Sequence, residues 1–120
     1  RISLAMVDAV PAGIYAKEFF QNIGIWEKIK FNVANSPNVR AALSFVSRGD
    51  LEYGVVYKSD ALVDKKVKII YELDPSLYTK VQYPITILNK REDTLLLYSF
   101  LKQKKAISVF KKWGFIVKHD

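Results

Sequence analysis

The 120 residues carry 19 Lys and Arg against 12 Asp and Glu, a formal charge of +7, and 50% of them are hydrophobic. That length and apolarity suit one domain with a real core and exclude a disordered chain; no apolar run approaches the roughly 20 residues that span a bilayer. With no cysteine there is no disulfide framework and no thiolate metal site.

The first element is residues 2–6, Ile-Ser-Leu-Ala-Met, a short apolar run that predicts a buried strand. Val10-Pro11-Ala12-Gly13 leads into a helix over Ile14 to Ile23, with Gly24 as its stop. A short helical continuation over Ile25 to Lys30 turns Trp26 and Ile29 inward. Ser36-Pro37-Asn38 signals a helix start, with Val39, Ala42, Leu43 and Val46 on one face and Gly49 at the end. Glu52 to Tyr57 predicts another strand, and Ser59-Asp60 opens a helical turn through Val63. Val67 to Leu73 alternates as a half-covered strand does. Asp74-Pro75-Ser76 is a turn or helix start. Val81 to Leu88 is strand-like, although Pro84 argues against a central place in a sheet. Helices over Thr94 to Leu101 and Ala106 to Trp113 follow, Gly114 stops the second, and Phe115 to Val117 predicts a last short strand.

Strands alternating with helices define an α/β fold with a mostly parallel sheet flanked by helices. Ligands of such sheets sit beyond the carboxyl ends of strands, where helices begin. Three places have that character. Pro11 at a first helical position makes Ala12 the first free amide, and small Ala12 and Gly13 let a ligand approach the backbone. The helix dipole then favours an anion, though an ordinary helix start reads the same way. If Asn38 is the cap of the next helix, the Val39 amide is left over for a ligand; if Ser36 is the cap, that amide is consumed internally. Arg40 is either an anion-binding charge or a solvent-facing residue. Tyr57 closes its strand, where a tyrosine either aims a neutral hydroxyl across a cleft or fills the core.

The order and spacing of these segments resemble the periplasmic molybdate-binding proteins of molybdate ABC importers, of the type II periplasmic binding protein class. Val10-Pro11-Ala12-Gly13-Ile14-Tyr15-Ala16 and Gly54-Val55-Val56-Tyr57-Lys58-Ser59-Asp60-Ala61 carry the match. Asn38-Val39-Arg40-Ala41-Ala42-Leu43, Tyr83-Pro84-Ile85 and Phe110-Lys111-Lys112-Trp113-Gly114-Phe115 extend it over essentially the whole chain. Before Val10 the family usually has Gly-Asp-Pro or Ala-Asn-Pro, where this chain has Ala5-Met6-Val7-Asp8-Ala9.

The resemblance implies a two-lobed protein holding an oxyanion between its lobes through neutral donors. Carried over by motif, the donors in this chain are the Ala12 and Val39 amides and the Tyr57 hydroxyl, with Asn38 as cap. Molybdenum is then bound only as molybdate, or tungsten as tungstate, with no direct metal ligand and no cofactor. Residues 1–82 correspond to the second, carboxyl-side lobe, and 83–120 to a return strand and helices that in the family pack on the first lobe. The first lobe's two pocket serines have no counterpart, so the chain is expected to be incomplete relative to the family fold and to carry about half of the pocket. A membrane permease is the implied partner, and the implied location is periplasmic or otherwise extracytoplasmic.

Other readings are weaker. The lysines, in clusters such as Lys65-Lys66-Lys68 and Lys102-Lys104-Lys105, interleave with apolar residues as a solvated face does, and no nucleic-acid partner is expected. His119, the single histidine, lies in the charged tail, and Asp50/Glu52 and Asp60/Asp64 adjoin no nucleophile or base, so they read as surface or cap residues and no enzyme is expected. The alternative function is an oxyanion- or small-ligand-sensing domain of a transcription regulator, which shares the two-lobed architecture. Leu95, Leu96, Leu97, Phe100, Leu101, Val109 and Phe110 would expose enough apolar surface for a paired or segment-swapped homodimer.

Overall fold

The buried run near the amino terminus becomes the middle strand of a parallel sheet. The computed structural model describes residues 1–118. Strand β1, Ile2–Ala5, lies between β2, Val33–Ser36, and β3, Tyr53–Gly54. Ile2 pairs with Val33 and Tyr53, Ser3 with Ala34 and Gly54, Leu4 with Asn35, and Ala5 with Ser36.

Side chains alternate across a strand, and β1 shows what each face carries. Leu4, 0% exposed, packs with Ala16, Phe19, Phe20 and Trp26. These belong to α1, Pro11–Asn22, and the one-turn α2, Trp26–Ile29. Ser3 points to the other face, where its hydroxyl donates to the Ala42 carbonyl at 2.9 Å. Ala42 lies in α3, Val39–Ser47. Helices α1 and α3 therefore cover opposite faces, as right-handed crossovers running in opposite directions, β1 to β2 and then β2 past β1 to β3, require. Burying a large apolar side chain such as Phe19 contributes about 1.5–3 kcal/mol, and most of this core lies on the α1 face.

The glycines anticipated as stops act as such: Gly24 and Gly49 take φ of +76° and +81°, and Gly114 takes +86°. Helix α4, Lys58–Val63, follows β3. After a turn at residues 65–66 the chain has no regular structure until a 3₁₀ turn at Pro75–Leu77, and Leu73, Leu77 and Tyr78 pack against the α1 core.

The chain divides into two compact units, Arg1–Lys80 and Val81–Asp120. The second contains α5, Glu92–Leu101, and α6, Lys104–Lys112. Tyr83 and Phe110 meet Phe115 edge-on, with ring centroids 5.9 and 6.2 Å apart.

One strand was not anticipated, and four that were anticipated need correction. Val33–Ser36 is a strand, although its polar half, Asn35-Ser36, hides it from a periodicity reading. The strand expected over Glu52 to Tyr57 contracts to Tyr53–Gly54, extended by one bond from the Val55 amide to the Ser3 carbonyl. Residues 67–73 and 81–88 alternate, yet neither belongs to a sheet. The same holds for 115–117. Alternation reports a half-covered extended chain, whereas a strand also needs a neighbour to complete its ladder.

Candidate functional site at the carboxyl edge of the sheet

All three residues singled out in the sequence lie just past the carboxyl ends of the three adjacent strands. Ala12 follows β1 at the start of α1, Val39 follows β2 at the start of α3, and Tyr57 follows β3 as the N-cap of α4. The strands are parallel and in register, so these starts share one edge of the sheet.

At α1, the N-cap is Val10, which has no side-chain acceptor to offer, and Pro11 has no amide. The first helical bond is from the Ile14 amide to the Val10 carbonyl, 2.9 Å, so the Ala12 and Gly13 amides have no acceptor within the helix. Gly13 is there for space: a Cβ at that position would lie 2.1 Å from the Ala5 carbonyl oxygen and 2.6 Å from that of Met6. The helix start is thus pressed against the end of β1, which buries Ala12 and sets the direction of its amide.

At α3, the cap left open by the sequence is Asn38. Its side chain accepts from the Ala41 amide at 2.8 Å, and its carbonyl accepts from the Ala42 amide at 3.1 Å. The Val39 and Arg40 amides remain without helical acceptors. Ser36, 1% exposed, instead ends β2; its carbonyl accepts from the Met6 amide at 2.9 Å, and its hydroxyl is buried without a partner among the described residues.

At α4, half-buried Tyr57 accepts through its carbonyl from the Asp60 and Ala61 amides, at 3.0 and 3.2 Å. Asp60 corrects the sequence reading of a surface or cap residue: it is 5% exposed, and its Oδ1 meets the Arg40 Nε at 2.6 Å. Arg40 is therefore largely exposed, as a solvent-facing residue would be, while its guanidinium is paired with Asp60. Its proximity to Asp60 comes from α3 and α4 meeting in space, which no spacing along the chain encodes. Asp64 does behave as a surface residue, accepting from the Lys66 amide at 2.9 Å. That backbone bond, followed by a Ser47 side-chain bond, holds its carboxyl below the usual value. His119 lies outside the described residues.

Comparison with known proteins matches residues 1–116 to the family described as bacterial extracellular solute-binding protein. The chain is similar to the "Putative ABC transporter substrate-binding lipoprotein YvgL" of Bacillus subtilis, at 37% identity over 96% of the chain and 45% of that protein. It is also similar to the molybdate-binding protein ModA of Escherichia coli, at 35% identity over 98% of the chain and 47% of that protein. Among solved structures, the "substrate binding domain of putative molybdenum ABC transporter from Clostridium difficile" superposes with a TM-score of 0.84. That match covers 99% of this chain and 53% of the other at 24% identity, which supports the fold alone. The chain spans about half the length of the curated relatives it matches. The parallel sheet, the helix starts along one edge and the family match agree: the chain belongs to the bacterial extracellular solute-binding proteins.

Proposed function

We propose that this chain supplies about half of an oxyanion pocket in the solute-binding component of an ABC importer, with molybdate or tungstate as ligand. The observation that carries the reading is the placement of Ala12 and Val39, two amides without helical acceptors at the starts of two helices of eight or more residues, on the same sheet edge as Tyr57. The names of the similar proteins support it in two parts, YvgL as a "Putative ABC transporter substrate-binding lipoprotein" and ModA as a molybdate-binding protein.

Molybdate, tungstate and sulfate are fully deprotonated at neutral pH and only accept hydrogen bonds. Two amides, one hydroxyl and two helix dipoles match that demand without a counter-ion. Hydrogen phosphate carries a proton that asks for an acceptor, and none of the three groups is a carboxylate. Residues 1–82 form the second lobe of the binding protein in this reading. Residues from 83 onward pack on a first lobe that supplies the remaining donors, and the whole delivers its anion to a membrane permease from outside the cytoplasm. Residues 1–120 on their own pair or swap segments to cover apolar surface.

Calorimetry on the complete protein tests the proposal. Molybdate and tungstate bind tightly, and phosphate binds far more weakly. A complete protein indifferent to both metal oxyanions would sink the assignment.

A further inference from the structure

We propose that the Arg40–Asp60 ion pair is a positioning device for the pocket, holding Tyr57 in register with the Val39 amide; this inference rests on the oxyanion reading above. Arg40 stands directly after Val39 in the first turn of α3. Asp60 lies one turn after Tyr57, and its amide donates to the Tyr57 carbonyl at 3.0 Å. Strands β2 and β3, which feed these two helices, do not touch, because β1 runs between them. The 2.6 Å contact between Arg40 Nε and Asp60 Oδ1 therefore ties the two outer helix starts together past the end of the middle strand.

The two partners are unequal. The Asp60 side chain is 7% exposed and that of Arg40 is 66% exposed. The other carboxylate oxygen, Oδ2, is buried without a hydrogen-bond partner among the described residues. A buried carboxylate of this kind depends on the cation beside it; deprived of Arg40, the charge is driven toward water. Movement of Asp60 toward solvent moves the first turn of α4, and Tyr57 moves with it. A second pair, Lys58 Nζ to Glu72 Oε1 at 2.6 Å, ties the residue after Tyr57 to the extended segment. Both of its members are about half exposed, so it adds little by itself. Arg40 also brings no unbalanced charge to the pocket, since Asp60 Oδ1 stands 2.6 Å from its Nε. It acts on the anion through Tyr57.

Molybdate calorimetry on the complete protein, in a double-mutant cycle with Tyr57→Phe, tests this. Arg40→Gln is expected to weaken binding about tenfold, and Arg40→Lys, which keeps the charge, by no more than about threefold. In the Tyr57→Phe background, Arg40→Gln adds less than about twofold, because the group it positions is gone. Arg40→Gln leaves the buried Asp60 carboxylate unpaired, so the ligand-free melting temperature of each variant is measured beside its affinity. An Arg40→Gln effect that persists in full without the Tyr57 hydroxyl would show direct attraction or general loosening, and would overturn the inference. So would wild-type affinity in Arg40→Gln. A wild-type protein that binds no metal oxyanion overturns the oxyanion reading and this inference together, whereas the other two outcomes overturn the inference alone.

Discussion

At the scale of single residues, Tyr57 is the one side chain among the three proposed donors, since the other two are backbone amides. A hydrogen bond to a charged oxygen contributes about 1.5–3 kcal/mol, so Tyr57→Phe in the complete protein should weaken molybdate binding by roughly 10- to 150-fold. Calorimetry measures the affinity, and circular dichroism should show the fold unchanged. Asp74 gives a pH signature that does not involve the ligand. The Ser76 amide, at 2.9 Å, and then the Ser76 hydroxyl, at 2.7 Å, hold its carboxyl below the ordinary 3.8. A lowered folded-state pKa contributes stability that is fully present above the unfolded value and is lost as pH falls through the folded one. Asp74→Ala should therefore lower the urea midpoint near neutral pH, and the gap to wild type should narrow as pH falls below 3.8. Both residues were legible in the sequence, Asp74 from its Asp-Pro-Ser turn chemistry and Tyr57 from its place at a strand end. Asp60 was not. Asp-Ala-Leu-Val looks like any helix start until α3 brings Arg40 to it.

At the scale of elements, the starts of α1 and α3 decide where the two proposed backbone donors point. Asn38 holds the first turn of α3 through the Ala41 amide, so Asn38→Ala should cost about 1 kcal/mol in chemical denaturation, while Asn38→Asp or Asn38→Ser keeps most of it. Gly13 sets the start of α1 by close approach to β1. Gly13→Ala puts a methyl carbon against backbone oxygens that cannot rotate away, unlike the end of a flexible side chain. The helix start must shift, and a loss of about 1–3 kcal/mol in denaturation is expected, as for overpacked cores. A shift at Gly13 displaces the neighbouring Ala12 amide, so oxyanion affinity should fall with stability. Helix positions were readable because proline, asparagine and glycine mark their ends. The strands were read less well: β2 carries too little apolar sequence to announce itself, and 67–73 and 81–88 announce strands that no neighbour completes.

For the whole molecule, the apolar surface is unevenly covered. In the second unit, Leu95, Leu96, Leu97, Phe100 and Val109 are all more than 40% exposed, and Ile116 is 90% exposed. A soluble monomer rarely leaves such residues bare together. A polypeptide of residues 1–120 should therefore self-associate in analytical ultracentrifugation, whereas the complete protein sediments as a monomer. Sedimentation of the short polypeptide as a monomer at high concentration contradicts this.

The sequence alone determined the α/β class, the approximate places of the helices and the three residues proposed as donors, because proline, small residues and caps act over a few neighbours. The tertiary structure decided which strands find partners, that Asn38 rather than Ser36 caps α3, and that Arg40 is spent on Asp60. Those outcomes depend on segments distant in sequence. Hydrogen-bond ladders and buried charges are completed by a partner from elsewhere in the chain, and local pattern does not name that partner.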